Sequence, residues 1–303
     1  SAARSISPYL RKGNLIIVES TSPVGTTEKV KREIDKFALC NTDEIHICYC
    51  PERVIPGNIL NELVLNNRVI GGIREMDAVV AKAFYESFCK GEIQLTDVRT
   101  AELVKLTENT FRDVNIAFAN QLSIICDNLN IDVHELIHLS NQHPRVNILK
   151  PGCGVGGHCI AIDPRFIASA FPDLTELIQV ARKVNNEKVE WVTKKIIEKA
   201  CIQQKKIGRK PKIGCLGLTF KANVDDIRES PAIKIVDNLK SLNTDLLICE
   251  PNLKASTDFE LKSLNYILEY ADIIVILVSH KEFKEVSFVN KIVYDFCGVT
   301  SSF

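Results

Sequence analysis

Residues 99–126 read Arg-Thr-Ala-Glu-Leu-Val-Lys-Leu-Thr-Glu-Asn-Thr-Phe-Arg-Asp-Val-Asn-Ile-Ala-Phe-Ala-Asn-Gln-Leu-Ser-Ile-Ile-Cys, with no glycine or proline anywhere in the run. Leu103, Leu106, Val114, Phe118, Leu122 and Ile125 supply apolar positions along it, which predicts one long helix over 99–130. Upstream, strand-length apolar runs at 15–21, 45–50, 68–72 and 92–96 alternate with helix-length segments at 26–39 and 76–89. The unbroken apolar run 15–21 predicts a strand covered on both faces. Downstream, helical patterns continue at 133–141, 164–170 and 174–199, and a basic stretch at 203–211 is expected to turn the chain. A second alternating unit follows, with strands at 212–218, 245–250, 273–278 and 291–296 and a helix at 231–242. The long helix thus separates two α/β units around a mainly helical middle. In the last unit the alternation implies a parallel sheet with ligands at the carboxyl ends of its strands.

Composition bounds the function. The chain has 303 residues, room for two domains of ordinary size. Lys+Arg and Asp+Glu number 38 each, so no net charge draws the chain to nucleic acid or to an anionic membrane. Its longest apolar stretches, such as 273–278, are too short to span a bilayer, and the first residues lack a signal peptide's apolar core. The eleven cysteines are scattered, several of them in strand-like runs (Cys48, Cys50, Cys215, Cys249, Cys297). That pattern suits buried thiols in a reducing compartment, the cytoplasm. Cys153, His158 and Cys159 lie close together but lack a fourth ligand and a second cysteine pair, which argues against zinc. Ser1 is not a methionine and Met76 is the single Met, so a processed chain or a piece of a longer one is expected.

Residues 151–164, Pro-Gly-Cys-Gly-Val-Gly-Gly-His-Cys-Ile-Ala-Ile-Asp-Pro, carry the densest chemistry. Gly152, Gly154, Gly156 and Gly157 fall within six positions, a density tolerated where the chain turns sharply or a ligand approaches the backbone. Cys159 ends that run beside His158 and four residues before Asp163, which makes it a candidate nucleophile. The alternative is a flexible linker ending in a buried cysteine. Ile160, Ala161 and Ile162 argue against it by anchoring the loop.

Four further segments could carry chemistry. On the long helix Glu102, Lys105, Asn109 and Arg112 follow at spacings of 3, 4 and 3 and share a face. Lys105 and Asn109 offer donors for a developing oxyanion or a held water; a solvated face stitched by charge pairs is the alternative. After the first strand, Glu19-Ser-Thr-Ser-Pro-Val-Gly-Thr-Thr sets hydroxyls where an α/β sheet presents its ligands. Thr26 or Thr27 is expected to cap the next helix, leaving Thr21 as the functional hydroxyl. Pro51-Glu-Arg-Val-Ile-Pro-Gly-Asn follows the second strand and is either functional or a charged surface turn. Finally, Gly217-Leu-Thr-Phe-Lys-Ala-Asn-Val-Asp-Asp-Ile-Arg-Glu-Ser-Pro lies between a strand and a helix. Ser230 and Pro231 make a natural helix start, and Lys221 and Arg228 beside it suit a pyrophosphate.

With these segments, and with His-Pro-Arg-Val-Asn-Ile-Leu-Lys-Pro-Gly at 143–152, the chain resembles the UDP-glucose/GDP-mannose dehydrogenase family over nearly its whole length. Within that family the N-acetylhexosamine branch is the nearer, since glucose-specific relatives tend to carry an acidic residue near the position of Pro56. The resemblance implies an α/β fold with three parts. These are the remainder of an N-terminal Rossmann-like NAD domain (1–98), a central helical, dimerising region with the cysteine loop (99–205), and a C-terminal Rossmann-like nucleotide-sugar-binding domain (206–303). It implies NAD as cofactor, a homodimer and a UDP-N-acetylhexosamine as substrate. UDP-N-acetyl-D-mannosamine is the first expectation and its C2 epimer UDP-N-acetylglucosamine the alternative. The implied reaction is a four-electron oxidation at sugar C6 through a thiohemiacetal and a thioester on Cys159.

The same resemblance assigns roles. Lys105 and Asn109 would polarise the C6 oxygen, and Asp163, with Thr21 and Glu52, would handle the hydrolytic water. Substrate binding would fall to Arg53, Val54, Arg112, Arg145, Gly156, Gly157, His158, Phe220 and Lys221, and cofactor binding to Ser20, Thr21 and Arg228. Two departures stand beside it. Cys153 replaces a proline common in this branch and adds a second thiol near Cys159. Family members also open with a strand, a Gly-x-Gly-x-x-Gly turn and a helix for the NAD pyrophosphate, and residues 1–40 contain no such turn. The expectation is that on the order of 90 residues of that half-domain are missing. This leaves a second reading, a nucleotide-sugar-binding and dimerising module without turnover. A thiol hydrolase built on His158 and Cys159 is disfavoured, because sequence neighbours rarely orient as nucleophile and base.

Overall fold

The computed structural model describes residues 2–54, 58–254 and 259–300, so Pro56 lies outside the described residues. Two compact units emerge, Ser1–Asn109 with Ser169–Phe171, and Thr110–Ala168 with Pro172–Phe303. The first contains α1 (Ala2–Ile6), β1 (Leu15–Val18), α2 (Thr26–Phe37), β2 (His46–Tyr49), α3 (Ile59–Leu65), β3 (Arg68–Gly72), α4 (Glu75–Glu86), β4 (Ile93–Asp97) and the opening turns of α5 (Val98–Leu129). The long helix is continuous, as its sequence predicts, and the division between the units falls within it.

The strands of the first unit stand in the order β1-β2-β3-β4. Neighbours β1 and β2 are parallel, as are β3 and β4, but β3 meets β2 antiparallel, with Cys48 opposite Gly72. Among the described residues, the link between β2 and β3 holds only the seven-residue α3, and β3 runs back beside β2 without a crossover. Alternation along β2 serves both faces of the sheet. Ile47 packs with Ile34 and Val30 of α2, while Cys48 packs with Ala78, Ala81 and Tyr85 of α4. β1 is outermost in this sheet and half-buried at all four positions, yet it is covered on both faces as its apolar run predicts, with Leu15 and Ile17 packed on the α4 side and Ile16 on the α2 side.

The second unit holds the rest of α5, then α6 (Val133–Ser140), α7 (Asp163–Ala170), α8 (Glu176–Ile207), β5 (Lys212–Leu216), α9 (Pro231–Ser241), β6 (Asp245–Cys249), α10 (Leu264–Tyr270), β7 (Ile273–Ile276), α11 (Lys281–Lys284) and β8 (Ile292–Asp295). Its sheet is parallel throughout, in the order β6-β5-β7-β8. Ile213, Cys215, Ile273 and Val275 pack with Val192 and Ile196 of α8 and Ile235 of α9. Leu216, Ile274 and Ile276 serve the opposite face with Ile267 of α10. Gly214 lets α10 approach, since a Cβ there would sit 2.4 Å from Ile267 Cγ2. The stretch 203–211, expected to turn, instead continues α8 as far as Ile207. Gln and Lys are good helix formers, and the helix ends only where Gly208 adopts a φ of +70°.

A buried polar seam joins α5 to α8. Arg182 donates to Asp113 at 2.5 Å, Asn185 donates to the same carboxylate at 2.8 Å, and Asn120 donates to Asn185 at 2.9 Å. Removing one partner of the Arg182–Asp113 pair would strand a buried charge, at a cost of about 3–5 kcal/mol. Lys188, 2% exposed, donates to the Ser123 hydroxyl at 2.6 Å and lies 3.8 Å from the centre of the Trp191 ring. Burial pushes its pKa down to about 8. Above that pH the unfolded chain, with an ordinary lysine, binds more protons than the folded one, so the penalty of burying the ammonium fades as pH rises. Wild type should therefore gain about 1.5 kcal/mol relative to Lys188→Met between pH 8 and 9.5. Urea unfolding of both proteins at the two pH values measures this, and parallel behaviour would refute it.

Candidate active site

The loop ending in Cys159 is held from two sides within the second unit. Gly152 N–H donates to Asn120 Oδ1 at 2.9 Å, and a Cβ at Gly154 would lie 2.9 Å from the Asn185 carbonyl. The polar seam thus supports the loop's first half. Its second half lies on the 217–231 segment. Gly157 N–H donates to the Arg228 carbonyl at 3.1 Å. A Cβ at Gly156 would stand 2.4 Å from the Glu229 carbonyl, and one at Gly157, where φ is +83°, would stand 2.7 Å from the Phe220 ring. Two segments some seventy residues apart are therefore packed backbone to backbone. Glycine is required there by protein packing, and Glu229 itself takes a left-handed φ of +52° at the contact.

Cys159 is half-buried, and its carbonyl accepts from the N–H groups of Ile162 and Asp163 in the turn that opens α7. Asp163 is 3% exposed. The exposed Arg228 guanidinium is bound to Asp226 at 2.6 Å and is also an electrostatic neighbour of the Cys159 thiol. A cation beside a thiol favours the nucleophilic thiolate. His158 is exposed and lies in the field of Asp226.

Beside the loop, a cavity of about 160 Å³ opens between the carboxyl ends of β5 and β7, where the strand order reverses. Its walls include Lys150, Cys153, Thr219, Phe220, Lys221 and Ser279. Parallel α/β sheets take their ligands in this crevice. The α9 N-terminus contributes less than its sequence suggests, because the Ser230 hydroxyl accepts from the N–H groups of Ala232 and Ile233. An anion here would meet the Lys150 and Lys221 side chains in place of helix amides. A larger cavity, about 610 Å³, lies beyond the edge strand β6 and contains none of the sequence-predicted site residues. Arg112 is exposed on α5 and Arg145 on the turn after α6; neither enters the hydrogen bonds given above.

The first unit gathers a second group of predicted residues. Glu52 Oε1 accepts from the N–H groups of Arg53 and Val54, and Arg53 pairs with Glu108 of α5 at 2.5 Å. The charged turn is thus docked on α5, and Arg53 is no surface ornament. Glu102 is fully buried and accepts from Gly25 N–H, Thr27 N–H and the Thr27 hydroxyl. The cap of α2 is therefore a carboxylate from α5, in place of the Thr26 or Thr27 hydroxyl expected from local sequence. Lys105 and Asn109, half-buried, lie along α5 between and beyond these two anchors.

Ser20 and Thr21 follow β1 at the carboxyl end of the sheet, and the neighbouring Ser22 hydroxyl is buried with no hydrogen-bond partner among the described residues. These hydroxyls fit the hydroxyl- and amide-bearing parts of NAD. They do not fit its pyrophosphate, because Glu102 already occupies the amides of the α2 N-terminus.

Residues 1–89, 99–187 and 214–302 match, in order, the NAD binding, central and UDP binding domains of one family. The chain belongs to the UDP-glucose/GDP-mannose dehydrogenase family. Members of this family use NAD, and their UDP binding domain takes a nucleotide sugar. Among its relatives, the UDP-N-acetyl-D-mannosamine dehydrogenase of Campylobacter jejuni is 48% identical over 301 residues, covering 94% of this chain and 73% of the relative. The NDP-N-acetyl-D-galactosaminuronic acid dehydrogenase of Ralstonia nicotianae is 46% identical and covers 100% and 74%. In structure the chain is similar to the UDP-D-ManNAc dehydrogenase of Pyrococcus horikoshii, with a TM-score of 0.88 at 38% identity, over 98% of this chain and 72% of that one. Among the described residues no helix is long and apolar enough to cross a membrane.

Several members of the site lay outside the sequence reading. Asn120, Asn185, Glu250 and His280 all hold site segments in place, Glu250 by accepting from Leu218 N–H and His280 by accepting from Asn223 N–H. Arg182, Asn185 and Lys188 recur at helical spacing on α8, and Glu250 follows a strand end directly. Those were the available signals.

Proposed function

We propose that this chain is an NAD-dependent UDP-N-acetyl-D-mannosamine 6-dehydrogenase, oxidising the sugar's C6 alcohol to the uronate. The observation that carries this reading is the packing of the Cys159 loop on the 217–231 segment, through Gly156, Gly157 and Phe220. It joins the loop of a thiol that has a cationic neighbour to the crevice at the carboxyl ends of β5 and β7. NAD, when bound, supplies the hydride acceptor for each of two oxidations. The Cys159 sulfur adds to the C6 aldehyde, giving a thiohemiacetal whose oxidation leaves a thioester. Lys105 and Asn109 donate to the C6 oxygen as its charge develops. Asp163, Thr21 and Glu52 hold and deprotonate the water that releases the acid and frees the thiol. Arg53, Val54, Arg112, Arg145, His158, Phe220 and Lys221 bind substrate, and Ser20, Thr21 and Arg228 serve the cofactor. The three-part division at 98 and 205 belongs to the same proposal, as does a place in the reducing cytoplasm, supported by eleven free cysteines.

The test is NADH formation from UDP-N-acetyl-D-mannosamine, its C2 epimer UDP-N-acetylglucosamine and UDP-N-acetylgalactosamine, with uronate identified as the product. A preference for either of the last two overturns the assigned substrate. UDP binding with no NAD binding by calorimetry supports the non-catalytic module instead.

The proposal includes a homodimer through α5. Phe111, Phe118 and Ile125, each seven residues from the next, are 64%, 51% and 48% exposed, and a stripe of that size needs a cover. Phe118→Glu is expected to convert a dimer into a monomer in sedimentation equilibrium. A monomeric wild type, or a variant that stays dimeric, removes this face from consideration.

A further inference from the structure

The loop bearing Phe220 and Lys221 is tied down by a buried side chain far from it in sequence. His280, fully buried between β7 and α11, has Nδ1 2.9 Å from the Asn223 main-chain N–H and 2.9 Å from Asn252 Nδ2. A main-chain N–H can only donate, so Nδ1 is an acceptor and the proton resides on Nε2. Nε2 in turn lies 3.0 Å from Glu250 Oε2 and 3.2 Å from the Thr219 hydroxyl. That hydroxyl spends its own proton on the Lys221 carbonyl at 2.8 Å, so its oxygen is free to accept from Nε2. Glu250 also accepts from the N–H groups of Leu218, Thr219 and Asn252. Burial pushes its carboxyl up, but His280 and these backbone donors outweigh that and hold it below the ordinary glutamate range.

The loop from 218 to 223 is therefore gripped at both ends and at the Lys221 carbonyl. Asn223 takes a φ of +59° within it, and its side chain accepts from Lys281 N–H. Between the two ends, the Phe220 ring lies against Gly157, two residues from Cys159.

We propose that His280, held by Glu250 as its Nε2–H tautomer, is a positioning residue that sets the 218–223 loop for nucleotide binding. The inference rests on the reading of Phe220 and Lys221 as substrate-binding residues. His280 touches no substrate; its effect passes through Asn223 N–H and Thr219.

Two amide replacements separate positioning from bulk. His280→Asn sets an acceptor near the place of Nδ1 and keeps the Asn223 N–H satisfied. His280→Gln reaches Glu250 instead and takes away the acceptor of that N–H. Calorimetric titration with UDP should show a dissociation constant raised about tenfold or more for His280→Gln and restored to within about threefold for His280→Asn. A folded His280→Gln that binds UDP like wild type, or equal impairment of both variants, overturns the proposal. Should His280→Gln fail to fold, Thr219→Val carries the test, with an expected loss of about fivefold, and unchanged binding overturns it. Failure of the wild-type chain to bind UDP is a different result, which sinks the functional reading itself.

Discussion

Cys159→Ser is expected to lower uronate formation from the UDP-sugar by about 10³-fold or more. A serine hydroxyl is a far weaker nucleophile than a thiolate, and an ester of serine would have to form in place of the thioester. The first oxidation needs no covalent bond to the protein, so binding of UDP should persist and a slow release of aldehyde should replace release of acid. Trapping the aldehyde with a hydroxylamine distinguishes this from general loss of activity. The side chain is half-buried on a short turn, so the change is isosteric and the fold should melt as wild type does. Uronate formation at a wild-type rate would end the thioester mechanism.

The second large effect comes from a single methyl group. Gly156→Ala sets a Cβ 2.4 Å from the Glu229 carbonyl and 2.7 Å from Pro231 Cδ, neither of them the end of a flexible side chain. Glu229 is already strained at a φ of +52°, so the relief must come from the loop that carries Cys159. We expect a loss of about 1–3 kcal/mol in stability and about 10² in kcat/KM, the scale on which misplacing a reacting group by an ångström is felt. Gly152→Ala is the control, because nothing lies within 4 Å of the Cβ it would add. It should behave nearly as wild type. Equal losses at 152 and 156 would mean that the glycines serve loop flexibility, and the packing argument would fail.

The contrast between these two glycines marks where sequence reading stops. Four glycines ahead of a cysteine announce a constrained loop, yet sequence treats Gly152 and Gly156 alike. Only the neighbouring carbonyl of Glu229, seventy-three residues away, makes one indispensable. Glu102 teaches the same lesson from the other direction. Its spacing with Lys105 and Asn109 is visible on a helical wheel and suggests a shared chemical role. Its carboxylate is instead spent on the first turn of α2, a donor pair that local sequence assigned to threonine. His280 carries no local signal at all, being one histidine after an apolar strand.

By itself the sequence determined the long central helix, the parallel second sheet and the family, and singled out Cys159 as the candidate nucleophile, because periodicity, helix breakers and compact motifs are local properties of the chain. The tertiary structure decided the antiparallel return of β3, the carboxylate cap on α2, the extension of α8 to Ile207 and the grip on the 218–223 loop. Those depend on which donor meets which acceptor across tens of residues, and on how close two backbones come. No pattern along one strand of text contains either distance.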